Sequence, residues 1–297
     1  MKKTPWSRRE LLARAGALGR TEEFQELVRH VAGFRPTFDA ADARLRPPHV
    51  RLARGAGARL VCFPTFAVGA GASQYARLAA ASGGEHDVWV QPVPGFTWQE
   101  PLPASVDALA DLLADGAAAC ADGGPVVLLG YSAGGWIAHA TAAALEARGT
   151  GPDAVVLLDS HWPTSPLLPH LHAHIERTRA AEFPEGRWPE EAGDDAYLTA
   201  MAHYAGLFQA WTPTAISAPT VLVRASRDVF DDDPRLPKDR RAHWHLPHTA
   251  VDTPGTHFSL IREHSEPALR AVADWLAAPA GRPRTAPNQQ PTTPEGA

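Results

Sequence analysis

The chain of 297 residues sets 28 Lys and Arg against 33 Asp and Glu, a net charge of -5 at neutral pH, and 44% of it is hydrophobic. That balance offers no basic field to a polyanion, and no run of about 18 apolar residues could span a bilayer, so neither nucleic acid nor membrane is expected as a partner. Only two cysteines occur, Cys62 in an apolar run and Cys120 at an expected helix end; they supply neither a disulfide framework nor a metal site, and no metal is expected.

The opening residues, Met1 to Trp6, run into Arg8, Arg9 and Glu10 where a secretory signal needs an apolar stretch, so a cytoplasmic location is expected. From Ser7 to Val31 apolar residues recur at helical spacing (Leu11, Leu12, Ala15, Leu18, then Phe24, Leu27, Val28, Val31), and Thr21-Glu22-Glu23 reads as a second helix start. Two short amphipathic helices follow. Their apolar stripe can pack on the core of the chain or on a second copy of it, a possible homodimer. The Arg- and Pro-rich stretch from Arg44 to Arg54 reads as a loop.

A strand is expected at Arg59–Phe63, a turn at Pro64-Thr65-Phe66, a helix from about Ser73 to Ala81, a strand at Asp87–Gln91 and a helix from about Ala104 to Ala119. The apolar run Pro125–Leu129, the Ala-rich helix from Ala133 to Arg148 and the strand Ala154–Leu158 continue the alternation. Strands alternating with helices imply parallel pairing by right-handed crossovers, with functional loops at the strand C-termini. After Asp159 the pattern breaks into helical pieces at His170–Ala181 and Asp194–Gln209. It resumes with a strand at Thr220–Arg224, a short strand near Ala242–His245, a strand-like stretch before Gly255 and a helix at Ser265–Ala277. The insertion, about 160–214, falls above the C-terminal edge of the sheet, where it can serve as a lid. Three regions result: a helical extension and linker (1–54), an α/β domain (55–278), and a tail (279–297) whose five prolines favour disorder.

Chemistry concentrates at Gly130-Tyr131-Ser132-Ala133-Gly134. G-x-S-x-G between a buried strand and a helix is the setting of a nucleophile elbow, with glycines relieving the crowding of a sharp turn and the serine hydroxyl set over a helix N-terminus. Asp159 ends the next strand, and Gly255-Thr256-His257-Phe258 comes near the end of the domain. The order Ser, acid, His is that of α/β-hydrolases, a mostly parallel central sheet flanked by helices. Ser132 is the candidate nucleophile, His257 the base and Asp159 the acid, with Asp228 a rival acid after a later strand. The oxyanion needs two backbone donors, one from Ala133 and one from the turn at Thr65 and Phe66.

These motifs, with Pro101-Leu102-Pro103 before the helix that precedes the elbow, make the stretch from about Arg59 to Leu276 similar to the thioesterase domain that terminates type I modular polyketide synthases. The resemblance agrees with Asp159 as the acid. It implies dimerising N-terminal helices, a lidded channel, and a polyketide acyl chain delivered on the phosphopantetheine arm of an acyl carrier protein, with no resident cofactor. It departs at Tyr131, where His is usual. Thr65, Tyr131 and the lid residues His161, His170, His174 and Arg177 are the candidate acyl-chain contacts; with His172 and Arg179 they give the region after Asp159 a potentially cationic character. A polar channel of that kind favours hydrolytic release of a linear acid, with macrolactone formation and stand-alone editing of carrier-bound acyl groups as alternatives.

Overall fold

The computed structural model describes residues 11, 14–16, 18–39, 45, 49–67, 71–122, 124–182, 195–230 and 236–278. The elements in chain order are α1 (Thr21–Ala32), β1 (Thr37–Phe38), β2 (Val50–Ala53), β3 (Arg59–Phe63), a 3-10 turn (Ala72–Tyr75), α2 (Ala76–Ala81), β4 (Asp87–Val90), β5 (Leu102–Pro103) and α3 (Val106–Ala121). There follow β6 (Val126–Tyr131), α4 (Gly134–Ala147), β7 (Ala154–Leu158), α5 (Leu168–Glu182), α6 (Asp195–Gln209), β8 (Thr220–Ala225), β9 (Thr249–Thr253) and α7 (Ser265–Ala277). The expected disorder of the tail, and part of the first N-terminal helix, lie outside the described residues.

Seven strands make one sheet in the order β2-β4-β3-β6-β7-β8-β9. Every pairing is parallel except that of β2 with β4. The interior strands are continuous apolar runs because both sheet faces are covered. Successive residues of a strand point to opposite faces: Leu60, Cys62, Leu129 and Val156 pack with Leu78 of α2 and Val272 of α7, while Val61, Phe63, Leu128 and Val155 pack with Leu113 of α3 and Ile137 of α4.

Two expectations are corrected. The Arg/Pro-rich stretch contains the edge strand β2; Arg51 donates to Asp87 Oδ1 at 2.7 Å and its guanidinium lies over the Trp89 ring, 5.1 Å from the centroid. A charged side chain folded back in this way suits a sheet edge that must not recruit another strand. No strand forms at Ala242–His245: the His243 carbonyl accepts from the Trp162 amide at 2.9 Å, so a loop after β7 takes the backbone group that a ladder needs.

The N-terminal segment is built into the domain. Helix α1 packs against α6, and β1 pairs in parallel with β5. Between them the buried Arg35 donates to the Ala196 carbonyl (2.8 Å) and Thr199 Oγ1 (3.0 Å) of α6, and to the carbonyls of Gly95 (2.7 Å), Thr97 (3.0 Å) and Glu100 (3.0 Å). Along the other side of this segment Leu18, Leu27, Val31 and Phe34 are exposed.

Candidate active site

The elbow is a close crossing of backbones. Strand β6 ends at Tyr131, Ser132 turns with φ 55°, and its amide donates to the Leu158 carbonyl of β7 at 2.9 Å. A Cβ on Gly130 would collide with the Gly134 carbonyl, and one on Gly134 with the Phe63 carbonyl. The glycines of the motif are therefore required by approach distance, whereas the positive φ falls on the serine itself. Asp159 also has a positive φ, 46°; two non-glycine residues in the left-handed region, side by side at the strand ends, are the kind of strain that active sites store.

The site is fixed from three sides. Asp159 Oδ2 accepts from His257 Nδ1 at 2.8 Å, and its other oxygen accepts from the Ala225 amide of β8 at 2.8 Å. Both side chains are buried. Burial pushes the Asp159 carboxyl up, but the hydrogen bond and charge of His257, then His161 and the Ala225 amide, outweigh it and hold the group below the usual carboxylate range. His257 lies after a turn at Gly255 (φ 117°), where a Cβ would press to 2.9 Å from the His264 ring. Its Nδ1 faces the carboxylate, the arrangement that leaves Nε2 as the proton-accepting nitrogen.

On the oxyanion side, the Thr65 amide is taken by Gln74 Oε1 at 3.0 Å. Thr65 is buried, and its hydroxyl accepts from Ala67 N at 3.3 Å; it builds the turn. The amides of Phe66 and Ala133 have no such partner among the described residues, so both are available as donors. The Phe66 ring stacks on Tyr204 and Phe208 of α6 at 5.7 Å, and Tyr197 of the same helix donates to the Ala67 carbonyl at 2.8 Å. The second inserted helix thus grips the turn that carries Phe66.

The remaining predicted residues divide. Asp159, His161 and His257 line one pocket with Leu171 of α5 and Asp228. His161 is buried, and burial, with His257 and His243 adding to it against the pull of Asp159, lowers its pKa to about 4. It is a neutral polar wall, which corrects the cationic reading at this one residue. His174 stacks on Phe258 at 5.4 Å, next to His257 in the chain, and His170 is exposed. The side chains of Arg177 and Arg179 lie outside the described residues. Tyr131 is corrected as an acyl-chain contact: it is buried in the core behind the elbow, where its hydroxyl donates to the His257 carbonyl at 2.8 Å. Asp228 is exposed and accepts from the Phe230 amide at 3.1 Å, a local turn contact. Sequence reasoning missed Tyr75, Gln74 and Arg35; each works through main-chain groups, which leave no pattern in a sequence. Among the described residues no cluster of side chains could hold a metal ion, and no helix is long and apolar enough to cross a membrane.

Comparison with known proteins bears on the family and the fold. The family model of the thioesterase domain matches residues 58–276. The chain is 64% identical over 267 residues, 90% of its length, to the spectinabilin polyketide synthase system protein NorC of Streptomyces orinoci, and 43% identical over 279 residues, again 90%, to the polyketide synthase GfsE of Streptomyces halstedii. It spans 12% and 7% of those two proteins. In fold it is similar to the NocB thioesterase domain solved in covalent complex with a fluorophosphonate nocardicin G analog (TM-score 0.59, 22% identity, 78% of this chain and 100% of that one). It is similar also to the type II thioesterase BorB from the borrelidin biosynthetic cluster (TM-score 0.56, 22% identity, 78% and 100%). By the extent of the family match and the identity to these relatives, the chain belongs to the thioesterase domain family and has its α/β-hydrolase fold.

Proposed function

We propose that the chain releases a full-length polyketide from an acyl carrier protein through an acyl-enzyme on Ser132, by hydrolysis to a linear acid. The observation that carries the reading is the buried His257–Asp159 hydrogen bond of 2.8 Å at the strand ends beside the Ser132 elbow. The serine hydroxyl is a weak nucleophile, so His257 Nε2 takes its proton as Oγ attacks the thioester carbon, while Asp159 holds the tautomer and stabilises the imidazolium. The oxyanion is received by the amides of Phe66 and Ala133. The C–S bond breaks as the imidazolium returns the proton to the phosphopantetheine sulfur. Water then attacks the ester, His257 takes its proton, and the tetrahedral intermediate collapses to the acid as the proton passes to Ser132 Oγ. All bond making is done by side chains and water, and no resident cofactor enters.

The relatives' names, polyketide synthases, support a polyketide chain as the acyl group. Hydrolysis is favoured by His161, a neutral imidazole on the wall beside His257, which offers water a hydrogen-bonding neighbour where ring closure needs a dry, curled chain. Helices α5 and α6 act as the lid. The exposed Leu18, Leu27 and Val31 support a homodimer through the N-terminal segment, tested by light scattering of the Leu27→Glu, Val31→Glu variant. The acyl carrier protein loaded with a long acyl chain and turned over in H₂¹⁸O tests the main reading. One ¹⁸O in a linear acid is expected; a cyclic product free of ¹⁸O, or turnover by Ser132→Ala, overturns it.

A further inference from the structure

We propose that Tyr131, the residue before the nucleophile, is a positioning residue whose phenolic hydroxyl fixes the main chain of His257 relative to the elbow. The inference rests on the reading of Ser132 and His257 given above.

The imidazole of His257 is held at Nδ1 by Asp159. That contact leaves the ring free to move as a unit with its loop unless the backbone is held as well. Tyr131 holds it: the hydroxyl donates to the His257 carbonyl at 2.8 Å, and the two rings lie 5.0 Å apart at 32°. Tyr131 is itself immobilised. Its backbone closes β6, paired with Leu158, and its amide donates to Tyr75 Oη at 2.9 Å, which in turn donates to the Phe63 carbonyl at 2.6 Å. Phe63 is the last residue of β3, directly before the turn that bears Phe66. One chain of hydrogen bonds therefore joins the oxyanion turn, the nucleophile elbow and the histidine loop, three segments separated by many residues of sequence. Burial, and then the charge of Asp159, push the Tyr131 phenol far above its ordinary pKa, so it stays a donor throughout the working pH range.

Proton transfer needs heavy atoms within about 2.6–3.2 Å of each other, and a displacement near 1 Å costs about 100-fold. Removing the tie at the His257 backbone, with the ring still packed, should lower the rate without altering how the acyl chain is bound. The test uses Tyr131→Phe with a carrier-bound acyl thioester and a fluorophosphonate titration. Expected are one titratable serine per chain, KM within threefold of the parent, and both kcat and the rate of fluorophosphonate labelling reduced by about 10- to 100-fold. A chain with 3-fluorotyrosine at 131, which keeps the hydroxyl, should recover at least a third of the parental kcat. A kcat within threefold for Tyr131→Phe overturns the inference. So does a loss shared equally by the 3-fluorotyrosine protein, which also decides the matter should Tyr131→Phe not fold. Persistent turnover by Ser132→Ala would instead remove the nucleophile reading, a separate failure.

Discussion

Replacing Asp159 with Asn tests the site most severely, because the surrounding hydrogen bonds dictate which way the new amide must face. In the native site one carboxylate oxygen accepts from the Ala225 amide and the other from His257 Nδ1, each at 2.8 Å. The Ala225 amide can only donate, so the Asn oxygen must turn towards it and the NH₂ group must face His257. The imidazole then has to accept at Nδ1 and carry its proton on Nε2, the nitrogen that the proposed mechanism needs to take the proton from Ser132. Turning the amide over to restore the tautomer sets two donors against each other and strands a buried N–H, at about 1–3 kcal/mol. The imidazolium also loses its carboxylate, worth about 4 kcal/mol for charges some 4 Å apart at an effective dielectric near 20. The sum, about 5–7 kcal/mol, corresponds to roughly four to five decades in rate. Single-turnover release from a model acyl thioester, with folding checked by thermal unfolding, measures it. Asp228→Asn, read in the same assay, should change the rate by less than threefold. An Asp159→Asn protein that keeps a tenth of the parental rate would refute the assigned hydrogen-bond polarity; a large loss at Asp228 would move the acid to that residue.

Ser132→Ala should abolish turnover, and Ser132→Gly should do so while unfolding at a higher temperature than the Ala variant, since glycine relieves the left-handed turn by about 1 kcal/mol; equal melting temperatures would mean that the turn relaxes freely. Arg35→Met leaves the carbonyls of Gly95, Thr97, Glu100 and Ala196 without their buried donor, and urea unfolding should show a loss above about 3 kcal/mol, with limited proteolysis faster in 195–209. His161 has a folded pKa of about 4, below the ordinary histidine value of about 6.5. Between those values the unfolded chain binds more protons, so stability present above pH ~6.5 is lost as the pH falls towards ~4, by up to about 3 kcal/mol. His161→Asn should flatten that acid limb, and an unchanged slope would show that His161 is not its source.

The parts of the fold legible in the sequence were those that depend on side-chain pattern. β3, β7 and α7 begin and end where apolar runs and turn residues place them, and Ser132, Asp159 and His257 each follow or end such a run. What the sequence concealed depends on backbone groups. β2 is a strand because an edge register with β4 is available and Arg51 can reach Asp87, facts invisible in a stretch rich in Arg and Pro. The region 242–245 alternates like a strand, yet Trp162 takes its His243 carbonyl. Tyr131 stood inside the motif and was read as facing the acyl chain; its true direction follows from the pleat of β6, which sends it to the core face shared with Leu129.

The Arg35 contacts also bear on how this unit can be moved between proteins. The family match begins at residue 58, which invites a splice just ahead of β3. Such a junction discards the one guanidinium that neutralises four main-chain carbonyls from two distant segments, together with the helix that backs α6. A transplanted unit cut there carries an intact elbow beneath a roof without its keystone. For any transplant of this unit the workable seam lies upstream of Thr21, so that α1, β1 and the two inserted helices travel together as one block.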